Sequence, residues 1–382
     1  MRALIAGAGV GGLTAAVALS GAGLEVTICE QMAEAGNSLV GGGFHLWPNA
    51  ARALREVGLD ERAEALGAPL ERTEFHSWRG RRLAAWPIAE LARRAGGYDV
   101  GISRQDLMSL LYGTVDAATV TSGAKVVGFV EREDGVTVQL ADGRELEGDV
   151  LIGADGLRST VRARLLGPDE PNYAGYVQWQ TLIPDASKLL PAGVERITFG
   201  RGARAVMHHV GGDRLFWACV LYCPADQAGR QPGRKAMLLE RFAGWPHPIE
   251  AAIEATPEEQ IVGLPIFDRK PVTTWGHGRM TLLGDAAHAM TTNTSQGGNQ
   301  AIEDGVLLGR ILGRERSPVA ALREYEGRRI ARTTPLVKNS RWISDWNAWR
   351  DPVRVGFRDR FFSIGLPRKG MSDLSRAVCE PL

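Results

Sequence analysis

Four cysteines are all that this chain of 382 residues contains. Cys29, Cys219, Cys223 and Cys379 fall in no metal-ligand spacing. Neither a disulfide framework nor a zinc site is expected, and thiols used this sparingly fit a reducing, cytoplasmic setting. Long apolar runs are missing too: no stretch approaches the ~20 consecutive apolar residues of a membrane span. Neither sign of charge is in excess. Lys and Arg number 45 against 44 Asp and Glu, for a formal net charge of +1. Acids and bases are interspersed and leave no electrostatic footprint for a nucleic acid. The amino terminus lacks a signal-peptide pattern, because Met1-Arg2 runs directly into Ala3-Leu4-Ile5-Ala6 and a glycine turn. There is no internal repeat and no low-complexity tract. What the chain does have is 44% hydrophobic residues and 47 glycines, enough to bury a sizeable core. Its length points to two packed lobes, and the expected state is a monomer or homodimer.

The glycines are not scattered at random. After the strand-like residues 3–6 comes Gly7-Ala8-Gly9-Val10-Gly11-Gly12, followed by the helix-forming run Leu13 to Leu19. This is GxGxxG between a strand and a helix. Gly7 permits the sharp turn, Gly9 lets backbone approach a pyrophosphate, and Gly12 lets the helix pack closely. The helix start offers free N–H groups to phosphates. The next strand, Glu25 to Cys29, ends at Glu30, about 20 residues beyond the turn, where a carboxylate holds a ribose 2′-hydroxyl. That carboxylate disfavours a 2′-phosphate at this site. These residues alone leave FAD and NAD both open.

Two later blocks repeat the pattern of a buried strand ending in an acidic glycine turn. Asp149 to Gly153 leads into Ala154-Asp155-Gly156 and a helix opened by Ser159. Met280 to Leu283 leads into Gly284-Asp285, and a glycine-bearing loop then opens a helix at Gly297-Gly298-Asn299. Asp285 is placed to accept from a chain of hydroxyls. The N–H groups around Gly297, Gly298 and Asn299 are placed to stabilise an anionic ring edge.

Taken together, in this order and spacing, the three blocks resemble the aromatic-hydroxylase family of FAD monooxygenases, the p-hydroxybenzoate hydroxylase fold. The resemblance spans roughly residues 1–340. It implies an α/β fold with a Rossmann-like FAD-binding lobe, an inserted, mostly antiparallel β-sheet substrate lobe and C-terminal helices. It places Glu30 at the adenosine ribose, Arg104 against FAD, Asp285 at the ribityl chain, and Asp155 between FAD and a transient NADPH or NADH. Leu13, Gln31 and Val127 join the implied FAD-binding set. The sequence departs from the family at Thr292, where proline is usual beside the reactive face of the flavin, and at Ser295, where glycine is usual. The first departure argues against simple phenol hydroxylation. The stretch Gly41 to Ala50 resembles the family's flexible loop beside the isoalloxazine. His45 and Trp47 are unusual there. Trp47 is a candidate pocket residue. His45 is a candidate base or a solvated loop histidine, since imidazole titrates nearest neutrality.

Motifs at both ends and in the middle require a discontinuous FAD lobe, expected over 1–68, 101–166 and 276–340. The inserts 69–100 and 167–275 are expected to form the substrate sheet, and 341–382 a C-terminal helical segment. Residues 73–86 read as a hairpin, and period-2 alternation recurs around Gly175–Leu182, Ala205–Val210 and Leu215–Val220. Alternation sets Arg214, Phe216 and Ala218 on one face, Leu215, Trp217 and Cys219 on the other. The resemblance favours the Phe216 face toward the pocket, with His208 beside it across the hairpin. Trp342, Trp346 and Trp349 share a helix face that packs on a lobe or a partner chain. The sheet is rich in aromatics and poor in charge, which favours an apolar, aromatic or polycyclic small-molecule substrate.

The activity the resemblance implies is oxygenation with NAD(P)H and O2 through a flavin C4a-hydroperoxide, giving hydroxylation or epoxidation. A same-fold reductase or dehydrogenase working without O2 and a non-catalytic flavin-binding protein are the alternatives. A second GxGxxG for the nicotinamide is missing, as is the Trp-x-Trp-x-Ile-Pro segment of flavin halogenases.

Overall fold

The computed structural model describes residues 1–33, 42–116, 119–364 and 371–382. Strand Arg2–Ala6 sits at the centre of a five-stranded parallel sheet in the order Met280–Leu282, Val150–Gly153, Arg2–Ala6, Glu25–Cys29 and Val120–Thr121. These strands are almost continuous apolar runs because helices cover the sheet and bury it. Helix Val10–Gly21 lies against helix Gly297–Leu312. A Cβ on Gly305 would come within 2.6 Å of the Ala15 amide nitrogen, and one on Gly309 within 2.5 Å of the Ala18 Cβ. The two helices therefore touch backbone to backbone. The sequence glycines that look like helix breakers are what lets this crossing form. A three-stranded antiparallel sheet, Val126–Glu131, Val136–Leu140 and Glu145–Gly148, leads into strand Val150–Gly153.

The second sheet is larger. Its order runs Val262–Asp268, Asn172–Ile183, Arg214–Leu221, Ala203–Val210, Gly193–Phe199, Ala68–Ser77, Val100–Ser103 and Gly43–Leu46, with Arg82–Trp86 hairpinned onto Ala68–Ser77. All pairs are antiparallel except Gly193–Phe199 with Ala68–Ser77. The hairpin over 73–86 and the alternating strands around 178, 206 and 218 lie where the sequence pattern puts them. The far face of this sheet carries Trp179, Met207, Leu215, Trp217 and Cys219. Helices Arg234–Arg241 and Ile249–Glu254 cover it, and the Trp217 indole donates to Thr256 Oγ1 at 3.0 Å. The near face looks toward the parallel sheet.

Two expectations change. Residues 43–46 are not a loop: they pair in register with Val100–Ser103, Gly43 opposite Ser103 and Leu46 opposite Val100. A stretch assigned to the FAD lobe thus forms the edge strand of the large sheet. The helix Pro318–Asn347 also runs unbroken through residue 341, with Pro335 inside it. Trp342 and Trp346 lie on this helix, and their rings, with Trp349, pack against one another and against Phe357 and Phe361 of helix Pro352–Ile364. No helix among the described residues is long and apolar enough to cross a membrane.

That long helix is fastened by charge. Arg329 is fully buried and donates to Asp304, to Glu303 Oε2 at 2.8 Å and to Gln300 Oε1 at 2.6 Å. Arg332 grips Glu303 again at 2.8 Å. Asp304 also accepts from the Gly284 amide at 2.9 Å and pairs with His288 at 2.6 Å. Burial by itself would raise the Asp304 carboxyl; Arg329 and His288 overcome it and hold it down to about 2. Removing one partner leaves a buried charge uncompensated. Arg329→Met should therefore lose about 3–5 kcal/mol of stability in urea unfolding of the flavin-loaded protein. A loss below about 1 kcal/mol would mean that the remaining partners compensate fully.

Candidate active site

The carboxyl ends of the parallel strands open onto a cleft of about 560 Å³, the place where ligands bind in open α/β sheets. Gly9 to Gly12 form one end of it. Ala154, Gly156, Gly284 and Asp285 line its middle. Phe44, Gly297, Gly298 and the near face of the large sheet close the other end. The glycine turn is tight on both sides. Gly7 has φ +103°, and a Cβ there would lie 2.5 Å from the Ala154 carbonyl oxygen; a Cβ on Gly12 would lie 2.1 Å from that of Gly7. On Gly9 a Cβ would meet nothing within 4 Å, so the backbone there faces open cleft. At the opposite end, a Cβ on Gly298 would strike the Phe44 ring at 2.3 Å. Two helix starts, at Val10 and at Gly297, thus present bare amides to the two ends of one groove.

Among the residues expected to bind the cofactor, Gly9, Gly12, Gly297, Gly298, Arg104 and Asp285 line the cleft. Arg104 opens helix Arg104–Tyr112, which Ser103 caps, and Asp285 opens helix Asp285–His288. Both side chains are exposed and bond to no described residue. Gly7 holds the turn from beneath. The other expected residues have different occupations. Glu30 accepts from the Ala8 amide at 2.7 Å and the Met32 amide at 2.8 Å, so its carboxylate braces the turn. Leu13 is buried and bonds back to the Gly9 carbonyl within its helix. Gln31 is exposed on a bend, and Val127 is exposed on the three-stranded sheet, outside the cleft lining. Asp155 turns its carboxylate into the start of helix Thr160–Leu166, accepting from Ser159 Oγ, from the Thr160 amide at 2.7 Å and from the Val161 amide at 3.1 Å. Asn299 ties the helix start to the edge strand: its Oδ1 accepts from the Trp47 amide at 2.9 Å and its Nδ2 donates to the His45 carbonyl at 2.8 Å. The side chains of Asp155 and Asn299 thus also bond within the protein and shape the cleft.

The pocket residues divide similarly. His208, Phe216 and Thr292 line the cleft, whereas Trp47 lines a second, smaller cavity. Thr292 explains its departure from proline. Its amide donates to Tyr176 Oη at 3.2 Å and its hydroxyl to Gln178 Oε1 at 2.9 Å, and a proline has no N–H for the first bond. Ser295 has φ +52°, the left-handed region that glycine occupies without strain. Gly41, the first of the three consecutive glycines, lies outside the described residues.

His45 corrects the expectation most sharply. It is a buried strand residue that lines the cleft, held by Asp99 at Nε2 and by Glu195 at Nδ1, 3.2 Å away, with its ring stacked on Trp47 at 4.1 Å. Burial by itself would push the imidazole down. The Asp99 and Glu195 carboxylates more than offset it and hold His45 up to about 10. Both ring nitrogens face carboxylates, an arrangement that favours the protonated ring. Glu195 also accepts from Thr73 Oγ1 at 2.8 Å. Against the cost of burial, the His45 charge keeps it ionised, down to about 2. His208 goes the other way: burial dominates and lowers it to about 4, so it is neutral.

The sequence reading missed Glu195 and Arg204, which line both cavities. Arg204 is buried and donates to Asn293 Oδ1 at 2.7 Å, while its Nε has no partner among the described residues. The signal was present. The alternation that sets His208 on the cleft face, followed back along strand Ala203–Val210, reaches Val206 and Arg204.

A family model described as an FAD binding domain matches residues 1–340. The chain belongs to the FAD-dependent aromatic-hydroxylase family. It is 37% identical over 364 residues to the aurachin C monooxygenase/isomerase of Stigmatella aurantiaca, covering 95% of this chain and 94% of that protein. It is 34% identical to the FAD-dependent urate hydroxylase of Klebsiella pneumoniae over 353 residues, 92% of this chain and 91% of that one. The crystal structure of Klebsiella pneumoniae HpxO complexed with FAD and uric acid superposes with a TM-score of 0.92 at 31% identity, covering 99% of this chain and 96% of that chain. This family member is an FAD-dependent monooxygenase, and NAD(P)H as reductant is typical of the family. The cleft fits FAD: it is long, it has amides at both ends for pyrophosphate and ring edge, and Arg104 and Asp285 offer unengaged polar groups between them.

Two predictions arise from this geometry. Arg104→Ala and Asp285→Ala should each weaken FAD binding roughly ten- to a hundredfold, read as flavin absorbance retained after gel filtration, while Val127→Ala should retain the wild-type content. His45→Gln tests the buried cluster. Because the folded-state pKa of His45 is raised, its contribution is fully present below the unfolded value near 6.5 and is lost as pH rises through about 10. The stability deficit of His45→Gln should thus be largest near pH 6 and shrink toward pH 10; a deficit that grows with pH would refute a protonated His45.

Proposed function

We propose that this monooxygenase hydroxylates or epoxidises an apolar aromatic or polycyclic small molecule, with NAD(P)H as transient reductant. Bound FAD supplies the activation of O2. The protein supplies position, charge and dryness. The observation that carries the reading is the sheet face above the cleft. Arg204, Val206 and His208 on one strand, with Phe216 and Ala218 on the next, face the amides of Gly297 and Gly298 across the groove. Phe216, Ala218, Val206 and neutral His208 offer a mostly apolar wall for a flat ring. Gly43 brings the edge strand in close, since a Cβ there would lie 2.4 Å from the Phe216 ring.

Two charged groups set orientation on that wall. The guanidinium of Arg204, with its unpartnered Nε, is suited to an oxygen of the substrate or to negative charge that develops on the ring. The ionised Glu195 is suited to accept from a substrate N–H or O–H. The four cysteines are all free thiols, in keeping with a cytoplasmic setting as part of this reading.

The test is a screen of aromatic and fused-ring compounds for stimulated NAD(P)H loss with matching O2 uptake. Under labelled O2 the product should gain one labelled oxygen atom. Arg204→Met should lower kcat/KM roughly ten- to a hundredfold, the scale of one charge-assisted hydrogen bond. Turnover that persists without O2 would overturn the proposal.

A further inference from the structure

The cleft does not end at its aromatic wall. A second cavity of about 230 Å³ joins it, and Glu195, Ile197, Arg204, Asn293 and Ser295 line both. Beyond that shared rim the character changes. The walls are Phe75, Trp86 and Phe199 from the sheet, Leu336, Ile343 and Trp346 from the long helix, and Phe361 and Phe362 from helix Pro352–Ile364. The rings brace one another: Phe75 against Trp86 at 4.6 Å, Phe199 against Phe362 at 4.9 Å, and Trp346 against Phe361 at 5.0 Å. The walls are therefore preformed.

We infer that this cavity holds an aliphatic tail carried by the substrate whose ring lies in the cleft. The inference rests on the proposed function. Three observations favour a tail over other occupants. Continuity is the first: the cavity opens from the cleft at Arg204 and Glu195, the two groups suited to the polar edge of a ring. The second is a step in chemistry: the charged side chains stay at the rim, and behind it aromatic and aliphatic side chains outnumber the polar Thr73, Thr294, Gln296 and Asn339, which matches a molecule with a polar head and an apolar extension. The third is the origin of the far wall. Leu336, Ile343, Trp346, Phe361 and Phe362 come from the C-terminal helices, apart from the parallel sheet and the glycine turn, so this wall contributes to substrate choice without contributing to the cofactor cradle.

The test uses the FAD-loaded protein and 4-hydroxyquinoline carrying hydrogen, propyl, heptyl or undecyl at C2, with Kd read from the flavin difference spectrum. Burying a chain should tighten Kd roughly two- to fourfold per methylene until the tail outgrows the cavity. Ile343→Trp fills the cavity from one helix turn and Leu336→Trp from another, so that a folding defect in one leaves the other to decide. Each should weaken the heptyl compound at least tenfold and leave the unsubstituted ring unchanged. A Kd independent of chain length overturns the inference and leaves the ring reading standing. So does a gain with chain length that survives both substitutions, which would put the chain elsewhere. If no ring compound perturbs the flavin spectrum, the ring reading fails and the tail inference falls with it.

Discussion

Asp304 is the residue on which the cleft depends. One oxygen takes the amide of Gly284 and the ring of His288, and the other takes the Arg329 guanidinium. Three separate stretches of chain are joined there: the turn that presents Asp285, the helix that presents Gly297 and Gly298, and the long helix whose later turns wall the second cavity. Charges buried this deeply are costly unless every partner is in place. Neighbouring Glu303, held by Arg329 and Arg332, completes the set. Residues 301–304, Ala-Ile-Glu-Asp, are therefore a structural clasp.

A second clasp works on the other side of the flavin cleft. His45, Asp99 and Glu195 come from three strands of the large sheet or their ends, with the imidazole between the two carboxylates. Protonated His45 keeps Glu195 ionised at the rim shared by the two cavities. An acid and a base, Glu195 and Arg204, then stand on one wall of the cleft beside Val206, Phe216 and Ala218. As part of the proposed function, such a pair is suited to a ring with both a donor and an acceptor along its edge. Thr292 belongs to the same logic. It keeps its turn in place with hydrogen bonds to Tyr176 and Gln178.

Local chemistry made much of this legible. The glycine turn, the strands that flank it and the helix starts at Val10 and Gly297 follow from residue spacing, because each depends on a few consecutive residues and on steric limits that hold in any protein. The hairpin over 73–86 and the faces of Phe216 and His208 follow from period-2 alternation. The reading fell short where a residue's role depends on a distant partner. The internal partners of Asp155 and Asn299, Ser159 and the edge strand, are one such case. Residues 43–46 look like a glycine-rich loop, and only pairing with Val100–Ser103 makes them a strand.

By itself, then, the order of residues determined the dinucleotide turn with its flanking strand and helix through short-range steric and hydrogen-bonding rules, and the family through the resemblance that three glycine-bearing blocks carry. The tertiary structure decided what sequence separation conceals: that His45 lies buried between Asp99 and Glu195, that Arg204 and Glu195 meet at one rim, and that the C-terminal helices wall a second cavity. Electrostatic environment and cavity shape arise from groups far apart along the chain, so neither exists until the lobes have packed.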